Sequence, residues 1–324
     1  MKKCLTALVA ASTALILLTA CAQQPGGGGG GTEHLIMATG GAAGTYYPFG
    51  GVIASVVTAN VEGVNITANT SGASVANARA LNNGDVELAL MQNDVMYYAF
   101  TGTEIMSDDD PIAELRTIAT LYPEVVQLVA TASSGITSVN DLRGMRVVVG
   151  DAGSGTEANA MHVLGSYGIT LSDIGTVENL SFGEASTAMQ NGNIDAAFVT
   201  AGAPTPAIVE LNANMNIVLV PIEGAAAAGL ISQFPFYTVY EISNDAYGIP
   251  GVTTVAVRAT LATTTALSED TVYAITRAMF ENQSDIAIGH ARGNELNPYD
   301  ALSGISVPLH PGAERFFRAE GYIN

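Results

Sequence analysis

The sequence predicts an α/β fold with two similar lobes facing each other across a ligand cleft. Two observations predict it. Apolar runs of strand length alternate with amphipathic stretches along the chain. One order of elements then occurs twice, ending each time in segments that align almost residue for residue.

In the first copy His34–Thr39 reads as a short buried strand. It leads into Gly40-Gly41-Ala42-Ala43-Gly44-Thr45-Tyr46-Tyr47-Pro48 and a small-residue helix reaching about Asn60. Val64–Thr70 follows as a strand, Ser71–Asn83 as a helix and Val86–Met91 as a third strand. The second copy runs from a strand at Arg146–Val149 through the loop Gly150-Asp151-Ala152-Gly153-Ser154-Gly155-Thr156 to a helix at Glu157–Tyr167. A strand near Val177, a helix at Gly183–Gln190 and a strand at Asp195–Val199 complete it.

The aligned segments are Ala80–Gln92 and Ala188–Thr200. Each closes a helix with Asn-Gly, where glycine adopts the left-handed conformation that ends helices. Each then delivers a polar residue, Gln92 or Thr200, at a strand's carboxyl end. Ligands of open α/β sheets bind outside those ends, and two lobes closing by a hinge are an arrangement for ligand capture.

The first residues read as an address. Lys2 and Lys3 precede an apolar stretch, Leu5–Leu18, of signal-peptide length. Leu18-Thr19-Ala20-Cys21 is a lipobox, so residues 1–20 are expected to be removed and Cys21 to carry lipid, anchoring the chain without spanning the membrane. Residues 21–32 form a Gly-rich tether without apolar residues to bury. About 290 residues remain, enough for two lobes.

Formal net charge is −19, and loss of Lys2 and Lys3 makes it −21. Such a chain repels nucleic acid and anionic lipid surfaces. The mature chain has no lysine, which excludes Schiff-base chemistry and a phosphate-loop lysine. An anionic ligand must therefore be held by backbone amides, hydroxyls or one of nine arginines. Cys21 is the only mature cysteine, so no intramolecular disulfide forms.

Gly153-Ser154-Gly155-Thr156 precedes a helix, where free amides and the dipole favour an anion. Ser154 and Thr156 add hydroxyls that serve the ligand, the helix cap or both. Tyr46 or Tyr47 can donate to a carboxylate or cover an aliphatic ligand. Thr70-Ser71-Gly72-Ala73-Ser74 offers another helix start, and Thr200-Ala201-Gly202-Ala203-Pro204 the matching turn of the second lobe. Gly153-x-Gly155-x-x-Ala158 imitates a dinucleotide fingerprint, but Asp151 and Ala152 push its first glycine away from the strand. His34, His162, His290 and His310 share no metal-ligand spacing. Asp108-Asp109-Asp110-Pro111 reads as a solvated turn, and Ser154 lies outside a Gly-x-Ser-x-Gly elbow. Neither catalysis nor a cofactor is expected.

Taken together, the Gly40–Pro48 loop, the Gly72–Asp94 block, Ser138–Val147, Gly153–Thr156, Asn193–Phe198 and Pro308–Arg315 resemble the solute-binding subunits of TAXI-type TRAP transporters. The resemblance implies a type II periplasmic-binding-protein fold with two crossing hinge strands. Lobe 1 would span residues 33–122 plus 252–324, and lobe 2 residues 123–251. It implies a monomeric, extracytoplasmic lipoprotein that captures a small carboxylate, such as glutamate, glutamine or a dicarboxylate, for an ion-gradient-driven permease. The contacts it implies are Gly40, Thr45, Tyr46, Tyr47, Ser71, Gly72, Ser74, Gln92, Ser154, Gly155, Thr156, Thr200, Ala201 and Gly202. Gly72-Ala73-Ser74 departs from the Gly-Gly-Ser or Gly-Ser frequent in that family, which leaves open which hydroxyl faces the cleft. The alternatives are a binding lipoprotein of an ABC importer, a two-lobed enzyme and a sensor. Val125–Thr131 reads as the outward crossing strand, and Phe236–Tyr240 lies near the return. Ser268 caps a helix that buries Ile275 and Met279.

Overall fold

The structure, a computed structural model, describes residues 31–324. The expected signal peptide, Cys21 and nearly all of the tether lie outside the described residues.

The first lobe opens with β1 (Glu33–Ala38), α1 (Tyr46–Asn60), β2 (Val64–Asn69), α2 (Ser74–Asn83), β3 (Leu88–Gln92) and α3 (Asn93–Thr101). β1 pairs in parallel with β2 and β3. α2 begins at Ser74, three residues later than the sequence suggests, because Ala73 holds φ 63° and ψ −149° and cannot continue a helix. It ends as expected, with Gly84 left-handed at φ 74°.

β4 (Leu115–Thr131) is longer than the expected crossing strand and leads into the second lobe. There follow β5 (Arg146–Val148), α4 (Gly155–Ser166), β6 (Thr176–Glu178), α5 (Phe182–Gln190) and β7 (Ala196–Ala201). α6 (Pro206–Asn214), β8 (Ile217–Val220), α7 (Gly224–Gln233) and β9 (Thr238–Ile242) complete it. β10 (Val252–Thr264) returns antiparallel to β4, and β9 pairs beside it. α8 (Glu269–Glu281), α9 (Gln283–Gly289) and α10 (Pro311–Ala319) then pack on the first lobe. Ser268 caps α8 by accepting from Thr271 N at 3.1 Å.

One sheet, ordered β2-β1-β3-β10-β4-β7-β5-β6, runs through both lobes with β10 and β4 at its centre. Side chains alternate faces along a strand, and β4 is buried on both. Val126, Leu128 and Ala130 enter one core, while Val125 and Val129 enter the other. That is why β4 reads as a continuous apolar run rather than an alternating one. Phe49, Ile53, Leu90 and Phe317 form the main core of the first lobe, each fully buried side chain contributing about 1.5–3 kcal/mol. The expected two-lobed α/β architecture is the one the chain adopts.

Candidate functional site

The carboxyl ends of β1, β2 and β3 face those of β5, β6 and β7 across a cavity of about 280 Å³. Gly40, Thr45, Tyr46, Ser71, Gly72, Ser74 and Gln92 line it from the first lobe, and Ser154, Gly155, Thr156, Thr200 and Ala201 from the second. Tyr47 and Gly202 of the sequence-derived set do not. Tyr47 follows Tyr46 by one helical residue, turns outward and is 38 % exposed. Gly202 stands behind the wall, its carbonyl accepting from Thr45 Oγ1 at 3.3 Å.

The lobes touch over the cavity. Ala207 N donates to Ala43 O across the cleft at 3.1 Å, and Gly44 packs beside the Phe182 ring. Deeper in, Asn159 on α4 donates to Asp94 on α3 at 2.9 Å and to Tyr237 Oη at 2.7 Å. Gln92 joins this seam. With its amide turned so that nitrogen meets acceptors, it donates to Asn159 Oδ1 at 3.0 Å and Gly155 O at 3.2 Å. Burial lifts Asp94 to about 6, against the pull of its hydrogen bonds from Val95 and Asn159.

Most hydroxyl oxygens of the cavity already accept from a backbone amide, which leaves the O–H able to donate. Ser154 caps α4 by accepting from Glu157 N at 3.1 Å, and Ser71 accepts from Ala73 N at 3.2 Å. Ser74 accepts from Gln92 N at 3.1 Å, and Thr156 Oγ1 from Thr200 N at 3.3 Å. The exception is Thr200, whose hydroxyl is buried without a partner among the described residues. Beside it the first amides of α4, at Gly155 and Thr156, have no acceptor four residues back in the helix.

Sequence reasoning missed Glu124. It lies on β4 with its carboxyl buried at the cavity, accepting from Tyr46 Oη at 2.7 Å. Burial dominates and raises its pKa to about 8, so the protonated form prevails at pH 7; the hydrogen bond from Tyr46 opposes the rise. A signal was present, since Glu124 is the single acid in the run Leu121–Ala130. Phe182, the apolar cover at the mouth, was missed because it reads as an ordinary helix start. Ser181 and Gly183 beside it, and Asp151, also line the cavity.

Among the described residues no lysine, arginine or histidine lines the cavity. Among the described residues no cluster of His, Cys, Asp and Glu is set to hold a metal. His162 stacks on Phe234 at 3.9 Å and is pushed down to about 4 by burial. His310 is tied to Leu267 O and Gly312 N. In the Asp108–Asp110 turn, Asp109 pairs with Arg79 at 2.7 Å. The dinucleotide-like loop does open a helix, but the Gln92 amide occupies the space over Gly155 that a pyrophosphate would need. What the arrangement can do is enclose a small molecule and offer it uncharged donors.

Residues 37–321 match the NMT1-like family. Among solved structures, the chain is similar to the alkanesulfonate-binding protein SsuA of Xanthomonas axonopodis pv. citri bound to MOPS. The two share 18 % identity over 88 % of this chain and 83 % of that one, with a TM-score of 0.50. The periplasmic aliphatic sulphonate binding protein SsuA of Escherichia coli shares 14 % identity over 90 % of this chain and 84 % of its own, also at 0.50. The fold is thus that of the type II periplasmic binding proteins.

Proposed function

The chain belongs to the NMT1-like family, and from that premise we propose that it is an extracytoplasmic solute-binding protein that captures a small carboxylate by lobe closure. Lipid on Cys21 holds it at the membrane, and it delivers its ligand to an ion-gradient-driven permease of the TRAP type. The lobes divide at residues 33–122 plus 252–324 and 123–251, so that β4 and β10 form the hinge.

The observation that carries this reading is a cavity between the two lobes with donors at the amino end of α4 that no group among the described residues uses. The Thr200 hydroxyl and the amides of Gly155 and Thr156 stand together at the amino end of α4, where the helix dipole favours negative charge by about 0.3–1 kcal/mol or more when partly buried. Glu124, whose protonated form prevails at pH 7, adds an O–H that donates to a carboxylate rather than repelling it. Phe182 covers the aliphatic part. No covalent step is required of any residue.

A thermal-shift screen of amino and dicarboxylic acids on the full chain tests the reading. At least one acid raises the melting temperature in a saturable way, and uptake of that acid in cells requires both this chain and a permease without an ATPase. A screen in which no acid acts, or uptake that depends on ATP hydrolysis, contradicts it.

A further inference from the structure

The hinge has a second face. Because side chains alternate along a strand, Glu124 on β4 meets the ligand cavity while its neighbour Pro123 turns to the opposite side. There Pro123 pairs with Arg258 of β10. A cavity of about 440 Å³ opens on this side, walled by Asn93 and Ser303–Ser306 from one lobe and by Phe236 and Thr238 from the other.

Arg258 is the exception among the nine arginines. Arg79, Arg143, Arg146, Arg277, Arg292, Arg315 and Arg318 each pair with a carboxylate, and Arg116 donates to two backbone carbonyls. The guanidinium of Arg258 donates to no acceptor among the described residues, and its Nε is fully buried. Asp300 and Glu295 act on it only as nearby charges, without a hydrogen bond or an ion pair to it, and Glu295 is paired with Arg292 at 2.5 Å.

Arg258 as a whole is half-buried, and a sealed Nε with no acceptor is costly, yet the surroundings hold it in place. Gly304, at φ 72°, lets the stem of Arg258 pass so closely that a Cβ would lie 3.0 Å from its Cδ. Asn93 accepts from Arg258 N at 3.0 Å and donates to Gly304 O at 2.9 Å, tying β10 to the loop. Ser306 Oγ in turn donates to Asn93 O at 2.6 Å.

We propose that this back face of the hinge is a second anion site, in which Arg258 takes a small oxyanion or carboxylate through its guanidinium fork. The planar fork matches two oxygens of a carboxylate, sulfate or phosphate at once, and Ser303 and Thr238 add hydroxyls at the rim. Both sites use β4 but opposite faces of it, Glu124 lining the ligand cavity and Pro123 the back cavity. The ligand cavity offers uncharged donors, whereas the back site offers a formal cation.

Equilibrium dialysis of the full chain with labelled sulfate tests the proposal, and competition by unlabelled malonate for the Arg258-dependent sulfate separates inorganic from organic anions. One equivalent of sulfate binds the wild type. Arg258→Met weakens it by at least about tenfold, and so does Ser303→Glu, an exposed substitution that brings a competing carboxylate to Arg258 without disturbing the core. Tyr47→Ala, whose side chain lies outside both cavities, leaves it unchanged. The proposal is overturned if sulfate does not bind the wild type, or if Ser303→Glu or a folded Arg258→Met binds as the wild type does.

Discussion

Gln92 and Thr200 end two copies of one sequence pattern, and the chain uses them in opposite ways. On the first lobe Gln92 is spent holding the seam to Asn159 and Gly155, Ser74 serves the Gln92 amide, and Tyr46 serves Glu124. On the second lobe the Thr200 hydroxyl has no partner among the described residues, and it stands beside the open amides at the tip of α4. A repeated motif therefore sets position, not role. The first wall should govern stability and closure, and the second should govern affinity.

The largest test of this contrast is Glu124→Gln. Glu124 has its pKa raised from 4.5 to about 8, so the folded state binds this proton more tightly than the unfolded state between those values. Unfolding free energy then falls as pH rises through that window. The variant should match the wild type near pH 4 and exceed it by about 2–4 kcal/mol above pH 8, as read by urea unfolding at both pH values. In the wild type ligand affinity should also decline above about pH 8, where an ionised Glu124 meets an anion; the variant should lose that decline.

Gly155→Ala attacks the seam. A Cβ there overlaps the Gln92 amide, so closure should be opposed by about 1–3 kcal/mol. Ligand affinity should fall about 10- to 100-fold, with the ligand-free chain more open in small-angle scattering. Unchanged affinity would show that Gln92 and Gly155 do not meet in the bound state.

Ala73→Gly touches only the backbone of the first wall. Ala73 lies in a region that glycine alone occupies freely, so the variant should gain about 1 kcal/mol in urea unfolding. Tyr47→Ala should have the smallest effect: the side chain faces away from the cavity, and affinity should stay within about twofold.

The fold was legible because its signals are local and repeated. The Asn-Gly helix ends, the strand-length apolar runs and the Gly-rich loops each act within a few residues. The site was legible as a set of loops, since strand ends fix where loops gather. Which groups remain unengaged was not legible, because hydrogen bonds such as Thr156 Oγ1 accepting from Thr200 N join residues far apart in the chain. Tyr46 and Tyr47 could not be told apart, since a helix turns by about 100° per residue and only its packing fixes the phase. Glu124 and Arg258 sit on long crossing strands whose two buried faces hide the alternation that would have shown which way each points.

Calorimetric titration of the full chain with the acid that most raises its melting temperature, wild type against Thr200→Val and Thr156→Ala, tests the central claim most directly. The account predicts a Kd raised about fivefold to tenfold by either substitution. In Thr200→Val, whose hydroxyl has no partner to lose among the described residues, the ligand-free melting temperature should not fall. An unaltered Kd in both variants would contradict it.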